Sequence, residues 1–202
     1  MNQLPEFPEL TFDETSHIYK LNGSIIPSVT TVMRPLSEDF YKGIDEDTLN
    51  RAADRGKSIH NAIENFVKFE IVDVAPEFMG YFDAFLKWWM EKNPTPLGTE
   101  CRTYHKILRY AGTADMPCII EGKSIVVDFK TSAAINKMLT GIQLEAYARG
   151  YESHGIKFDG KAIVHLKNDG TYQMEMYKMG DAECWTVFGA LLTIRNYVQK
   201  FK

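Results

Sequence analysis

The spacing of apolar residues changes partway along the chain, and this change constrains the fold more than any other feature. Over Thr48–Phe69 and Pro76–Lys92 apolar residues recur every three or four positions, which predicts two amphipathic helices. Pro94 and Pro96 end the second helix, because proline interrupts helical hydrogen bonding. Beyond them the spacing becomes the two-residue period of β-strands. A chain with both periods is expected to form an α/β fold.

Turn signals and apolar spacing predict the remaining elements. A hairpin is expected over His17–Ile26, because Asn22-Gly23 between short apolar runs is typical of a two-residue turn. Pro27–Thr30 is expected to lead into a short helix. The later predictions are strands over Thr99–Tyr104, Lys106–Tyr110, Met116–Ile120, Ser124–Lys130, Lys161–Lys167 and Thr171–Tyr177, and helices over Asn136–Tyr151 and Asp181–Phe201. This order predicts a mixed α/β sandwich with helices on both faces of a central sheet.

Length and composition are those of an ordinary globular chain. For 202 residues, 45% hydrophobic and 25% charged, we expect one domain, with a hairpin and lead-in over 1–47 and the core over 48–202. Met1–Leu10 has no basic start and no apolar run, and no apolar stretch approaches the roughly 20 residues of a membrane helix. We therefore expect a cytoplasmic protein without membrane contact. Three cysteines without C-x-x-C spacing argue against a zinc site, an iron–sulfur cluster or a disulfide framework.

A carboxylate and a lysine lie at the end of an otherwise apolar strand. Alternate residues of a strand share a face, so Asp128 and Lys130 point one way while Val127 and Phe129 point into the opposite layer. Asp115, across the intervening turn, is placed to converge on Asp128. Converging carboxylates bind hard cations, and a lysine beside them can activate water or neutralise phosphoryl charge. The alternative is a surface ion pair without a function.

Several motifs surround this pair. They are Arg55-Gly56-x-x-x-His60, Gly112-x-x-Asp115, Asp128-x-Lys130 and, on one helix face, Gln143-x-x-x-Tyr147. In this order and spacing they resemble the RecB-like branch of the PD-(D/E)XK nucleases. In this chain Ala114 stands at the position of the proline in the family name. The pairing of His17-Ile18-Tyr19 with Pro27-Ser28-Val29-Thr30 is similar to phage-encoded exonucleases of this group. The resemblance covers residues 17 to 151.

The resemblance implies a restriction-endonuclease-like core, a central mixed sheet flanked by helices, with one or two Mg²⁺ or Mn²⁺ ions. The implied metal ligands are His60, Asp115, Asp128, the backbone carbonyl of Phe129 and, as in some relatives, Glu100. The implied catalytic residues are Asp115, Asp128, Lys130, Gln143 and Tyr147, the last two positioning Lys130 or the phosphate. Basic residues that flank the site in sequence are candidate DNA contacts: Arg51, Arg55, Lys57, Lys137 and Arg149.

The function expected from this resemblance is that of a metal-dependent DNA exonuclease in phage-type recombination, repair or end processing. The substrate would be single-stranded DNA or duplex ends. The partner would be a recombination protein, an annealing protein or a helicase, and the location the bacterial host's cytoplasm for a phage-encoded enzyme. Two alternatives are a structure-specific endonuclease or nickase with the same site and an inert nuclease-like DNA-binding module. The intact set of Asp115, Asp128 and Lys130 argues against the inert module.

The net charge argues against DNA binding, and the positions of His60 and of several aromatic residues on predicted helices have structural explanations. The 23 basic and 27 acidic residues give a net charge of −4, which is unusual for a nucleic-acid-binding protein because phosphate contacts require Lys and Arg. A bound metal would reverse the local charge at a carboxylate site. His60 lies beside an apolar helical stripe, where a structural role is the alternative to metal binding. Aromatic residues at helical spacing, which are Phe82, Phe85, Trp88 and Trp89, are predicted to form core rather than a base-stacking platform.

Overall fold

The computed structural model describes residues 3–201. In chain order the elements are β1 (Leu10–Asp13), β2 (Ile18–Leu21), β3 (Ser24–Ile26), α1 (Val29–Phe40), α2 (Glu46–Phe69), a 3₁₀ turn (Pro76–Phe78), α3 (Met79–Lys92), β4 (Thr95–Pro96), β5 (Cys101–Tyr104), β6 (Ala111–Ala114), β7 (Cys118–Ile120), β8 (Lys123–Lys130), α4 (Lys137–Glu152), β9 (Gly160–Leu166), β10 (Tyr172–Tyr177) and α5 (Ala182–Gln199). Within the described residues, none of the helices has the length and apolar character needed to cross a membrane.

A five-stranded mixed sheet in the order β10-β9-β8-β7-β4 forms the centre. Strands β8 and β9 run parallel and are joined through α4, while the other neighbours are antiparallel. Val126 and Ile163 pack on one face against α1, α4 and α5. Val127 and Phe129 pack on the opposite face against α2 and α3. The prediction of a central mixed sheet flanked by helices is therefore confirmed.

A second, smaller layer is built by the N-terminal strands. Strands β1, β2 and β3 form an antiparallel sheet, and its turn places Asn22 (φ 51°) and Gly23 (φ 76°) in the left-handed region, as the Asn-Gly signal predicts. Leu10 and Tyr19 pack against Tyr104 and Ala111 of the β5–β6 hairpin. This contact fixes the N-terminal sheet beside the strands that carry the candidate site.

One predicted strand is wrong. β5 pairs with β6 in the register Cys101↔Ala114, while the predicted strand over Lys106–Tyr110 is a turn. The His105 ring accepts hydrogen bonds from the backbone of Ile107 and Leu108 through Nδ1, which closes the turn locally. The alternation of side chains did not reveal that His105 would accept the backbone hydrogen bonds of this segment in place of a neighbouring strand.

The helix predictions hold, with differences at their ends. α1 is a 12-residue helix, longer than expected, and is capped by Ser28, whose side chain accepts from the Thr31 backbone. Asp181 caps α5, as predicted, by accepting from two backbone N–H groups of the first turn. The aromatic residues of α3 predicted as core are confirmed for those that are fully buried: Phe82, Phe85 and Trp88.

Candidate active site

Two neighbouring chain segments bring Asp115 and Glu100 together. Asp115 directly follows β6 and Glu100 directly precedes β5, and the Glu100 N–H donates to the Asp115 carbonyl at 2.7 Å. The Met116 N–H donates to the Val127 carbonyl at 3.1 Å, which ties this end of the hairpin to β8. Asp115 Oδ2 also accepts from the Phe129 N–H at 2.7 Å. The central strand therefore sets the position of the Asp115 carboxylate.

His60 reaches this carboxylate from α2, on the far side of the site. Its Nδ1 lies 3.4 Å from Asp115 Oδ1 and 3.8 Å from Glu100 Oε1. Its Nε2 lies 3.2 Å from the Phe129 carbonyl oxygen. Ligand atoms of His60, Glu100 and Asp115 all lie within 4.8 Å of one another. These three residues are called the metal cluster below. In metal sites, a histidine commonly bonds a carbonyl oxygen through one ring nitrogen and the metal through the other, and the two nitrogens of His60 are placed in this way.

Asp128 and Lys130 form an ion pair next to the metal cluster. They share a face of β8, and Lys130 Nζ lies 2.6 Å from Asp128 Oδ2. The Asp128 side chain is 2% exposed and that of Lys130 is 28% exposed. Apart from this ion pair, Asp128 Oδ2 has no hydrogen-bond partner among the described residues. Asp128 lies outside the metal cluster, so the structure brings together Glu100, Asp115 and His60 more closely than the predicted pair of aspartates.

Burial and crowding shift the titration of these groups. Burial, with the Asp128 charge added to it, raises the pKa of Asp115 to about 7. Burial alone would lower the pKa of His60, but Asp115 and Glu100 raise it to about 9. Burial likewise opposes the charge of Lys130, yet the Asp128 and Asp115 carboxylates raise its pKa. The carboxylates thus stabilise the protonated, positively charged forms of His60 and Lys130.

The site fits a hard divalent cation. Three carboxylates face one lysine and one histidine, and a buried carboxylate requires a compensating positive charge. Because the neighbouring carboxylates raise the pKa of His60, its imidazole holds a proton that supplies this charge in the absence of a metal, and metal binding displaces such protons. Carboxylate oxygens are the ligands that hard divalent cations prefer. The Phe129 carbonyl contacts His60, and its role as a further ligand stays a prediction.

Gln143 and Tyr147 lie on α4 beside the site and contact each other. Gln143 Nε2 donates to the Tyr147 hydroxyl at 2.8 Å. Burial, followed by the nearby Asp128 charge, raises the pKa of Tyr147 well above its usual value. A Cβ on Gly112 would lie 2.4 Å from the Tyr147 ring. Glycine at position 112 therefore allows the close approach of α4 to β6, a packing reason that its place in the motif did not reveal.

The five basic residues predicted to contact DNA separate into two groups. Arg55 and Lys57 line a groove that His60 and Glu100 also line, and Arg55 contacts Thr131 and the Tyr81 ring there. Arg51, Lys137 and Arg149 do not face it. Arg51 bonds residues of its own helix, Lys137 pairs with Glu175, and Arg149 pairs with Glu145 and Glu152.

A groove of about 1450 Å³ connects the metal cluster with the N-terminal sheet. His60, Glu100 and Lys130 line one part of it, and Phe12 and His17 line another. The sequence motifs did not indicate that the N-terminal strands take part in this surface. The only sequence signal for it was the similarity of the His17 to Thr30 region to phage exonucleases.

Comparison with known proteins finds similar solved structures but no matching family. No known family model matches the chain, and no curated protein matches it either. Among solved structures it is similar to SSO0001, with 14% identity over 85% of this chain and 84% of that chain and a TM-score of 0.41. It is also similar to the alkaline exonuclease LHK-Exo from Laribacter hongkongensis, with 10% identity over 72% and 86% of the two chains and a TM-score of 0.42. The structure of LHK-Exo in complex with dAMP gives 12% identity, 87% and 90% coverage and a TM-score of 0.43. Similarity at this level leaves the activity to be inferred from the residues of this chain.

Proposed function

We propose that this protein is a metal-dependent deoxyribonuclease that hydrolyses phosphodiester bonds of DNA from strand ends. The observation that carries the proposal is the metal cluster of His60, Glu100 and Asp115, whose ligand atoms lie within 4.8 Å of one another. His60 and Glu100 line a groove, and the ion pair of Lys130 with the buried Asp128 lies beside them. Carboxylates, a histidine and a lysine in one groove are the groups that metal-assisted phosphodiester hydrolysis requires.

Each side chain has a role that its surroundings support. His60, Glu100 and Asp115 would hold the cation, with Asp128 as a further ligand through its otherwise unpartnered Oδ2. A divalent cation at such a site shields the charge of the scissile phosphate and makes a nearby water molecule more acidic. Lys130 would orient that water or stabilise charge developing on the phosphoryl oxygens. Gln143 and Tyr147, which hydrogen-bond each other on α4, would position Lys130 or the phosphate.

The preference for ends follows from the overall charge. A net charge of −4 provides little long-range attraction for a duplex, so docking along DNA should be weak. Binding energy would have to come from the groove, where Arg55 and Lys57 accompany the metal cluster. A groove confined in this way admits a free strand more readily than the middle of a closed duplex. The RecB-like motifs and the intact acidic set support the nuclease over an inert DNA-binding module.

Incubation with end-labelled linear DNA and covalently closed circular DNA, in Mg²⁺, Mn²⁺ or EDTA, tests this function. We expect metal-dependent shortening of the linear substrate. Asp115→Asn should reduce the rate at least about 100-fold, because metal stabilisation of transition-state charge is worth several kcal/mol. Asp169→Asn is the matched control, since Asp169 lies in the exposed turn between β9 and β10.

Two results would contradict the proposal. Cleavage of closed circles at protein levels that leave linear DNA intact would favour the endonuclease. Binding of Mn²⁺ measured by calorimetry, without any loss of DNA in either form, would favour the inert DNA-binding module. A recombination protein, an annealing protein or a helicase remains the proposed class of partner, since only a partner would unwind duplex DNA for this chain.

A further inference from the structure

Two aromatic rings, Phe12 of β1 and His17 directly before β2, form a corner at the edge of the groove. Phe12 is half-buried and His17 is exposed, and their ring centroids are 5.0 Å apart with planes at 85°. Phe12 also packs on Tyr19, with a centroid distance of 4.4 Å. The Arg102 guanidinium lies 5.3 Å from the Phe12 ring centroid. Phe12 and His17 are called the aromatic corner below.

A hydrogen bond and strand pairing connect the aromatic corner with the metal cluster. The Tyr19 hydroxyl lies 2.6 Å from Thr113 Oγ1, and Thr113 precedes Asp115 by two residues. Two residues of a strand span about 7 Å, so the anchor of the corner lies close to the carboxylate. On the paired strand, Arg102 follows Glu100 by two residues and lies opposite Thr113. Both strands therefore connect a metal-cluster carboxylate with a residue that supports the aromatic corner.

Charge alone leaves this groove poorly equipped to hold DNA. Lys68 pairs with Glu64, Arg102 contacts Glu14, and Lys130 pairs with Asp128. Within residues 3–201, the lysine and arginine side chains of the groove that form no ion pair are Arg55 and Lys57. Aromatic side chains that stack on bases supply affinity where phosphate contacts are few, and every base offers a flat face for such stacking.

Resting on the nuclease function proposed above, we propose that the aromatic corner stacks an unpaired base next to the scissile phosphate, so that the substrate is a single strand at this position. A base inside a duplex has both faces covered by its neighbours, whereas an unpaired base offers one face to Phe12. Arg102 supports the ring from its neighbouring strand. Phe82, Phe85 and Trp88 of α3 are buried in the core and cannot perform this role.

The experiment scans single-stranded oligonucleotides in which one base at a time is removed or replaced by 2-aminopurine, whose fluorescence falls on stacking. For the full-length protein we expect one abasic position to raise KM roughly 5- to 150-fold with kcat nearly unchanged, which corresponds to about 1–3 kcal/mol of stacking. The 2-aminopurine at that same position should be quenched on binding in Ca²⁺ or EDTA, where fluorescence is measured without cleavage.

Substitutions of Phe12 assign the effect. Phe12→Leu keeps an apolar side chain against Tyr19, so we expect the KM penalty of the abasic position and the quenching both to disappear. Phe12→Trp restores a flat ring and should restore both. Phe201→Leu is the control, because Phe201 is an exposed aromatic residue beyond the end of α5.

The results separate this inference from the proposed function. An abasic penalty that is the same in Phe12→Leu and wild type, or the absence of quenching at every position in the wild type, would overturn the stacking role even if DNA is cleaved. A protein that fails to cleave but quenches 2-aminopurine through Phe12 would keep the stacking role and overturn the nuclease. A preference for blunt duplex over single strands in KM would also overturn the inference.

Discussion

Two groups of charged residues, one on α4 and β9 and the other around Asp115, differ in how completely their charges are balanced. In the first group, Glu145 accepts from Lys161 Nζ and from Arg149 Nε at 2.9 Å, and Arg149 Nη1 lies 2.7 Å from Glu152. The side chains of Glu145 and Lys161 are each 1% exposed. Two acids and two bases thus form a closed network. In the second group, the three carboxylates of Asp115, Asp128 and Glu100 outnumber their two cationic partners, His60 and Lys130. Glu100, His60 and Lys130 line the groove.

The difference distinguishes a structural ion network from a site that binds something. A buried, balanced network contributes by avoiding an unpaired charge, and losing one member leaves the partner without compensation. A cluster with excess carboxylates gains from an external cation instead. We therefore expect substitutions in the Glu145 network to change stability and substitutions near Asp115 to change activity. The predictions below test this separation, beginning with the largest expected effect.

Glu145→Leu should lower the free energy of unfolding by about 3–5 kcal/mol, because buried Lys161 loses its counter-ion. Urea denaturation measures the change. Nuclease activity per folded molecule should stay close to that of the wild type. The double variant Glu145→Leu/Lys161→Met should regain most of the stability, since it removes both buried charges. A double variant as unstable as the single one would show that packing, rather than charge, holds this network.

Lys130→Met should reduce kcat at least about 100-fold, equal to about 2.7 kcal/mol, as expected for a group that assists proton transfer or phosphoryl charge. Its melting temperature should also fall in the absence of metal, because the buried Asp128 loses its ion-pair partner, and kcat is therefore measured per folded molecule. Calorimetric titration with Mn²⁺ should still detect binding, since lysine is a poor ligand for a cation. Loss of Mn²⁺ binding together with activity would instead assign Lys130 to organisation of the site.

Gly112→Ala should destabilise the protein by about 1–3 kcal/mol, because the added methyl group overlaps the Tyr147 ring. The displaced Tyr147 lies on the site side of α4, so activity should fall as well. Thermal unfolding and a kcat measurement check the two effects. Gly189→Ala in α5 is the control, because its added Cβ would meet no atom within 4 Å. Equal effects of the two substitutions would exclude the packing explanation.

Lys137→Ala should have the smallest effect, under about 1 kcal/mol on stability, because its ion pair with Glu175 lies on the surface with Lys137 72% exposed. Lys137 also lies outside the groove lining, so KM for DNA should stay within about twofold. Lys57→Ala, in the groove, should raise KM more and reduce the salt dependence of binding. A larger effect of Lys137→Ala on KM would extend the DNA path to β10.

The helices and strands were largely predictable because the spacing of apolar residues depends only on neighbouring positions in the sequence. Helical spacing over 48–69 and strand spacing over 124–130 depend on neighbouring residues, and both elements form close to their expected bounds. The strand predicted over Lys106–Tyr110 failed because His105 offers the backbone a local alternative. β1 was also missed, since a four-residue strand has too few alternating positions to give a signal.

The sequence by itself determined the residue types of the candidate site and their order along the chain, together with the alternation that puts Asp128 and Lys130 on one face of β8. The tertiary structure decided which groups meet. It joined Glu100 with His60 and Asp115, and it turned Arg149 and Lys137 away from the groove. The physical reason is that periodicity assigns a side chain to a face, whereas the neighbour of that face depends on packing between distant segments. His60 and Asp115 are 55 positions apart, and only the folded layers bring them within 3.4 Å.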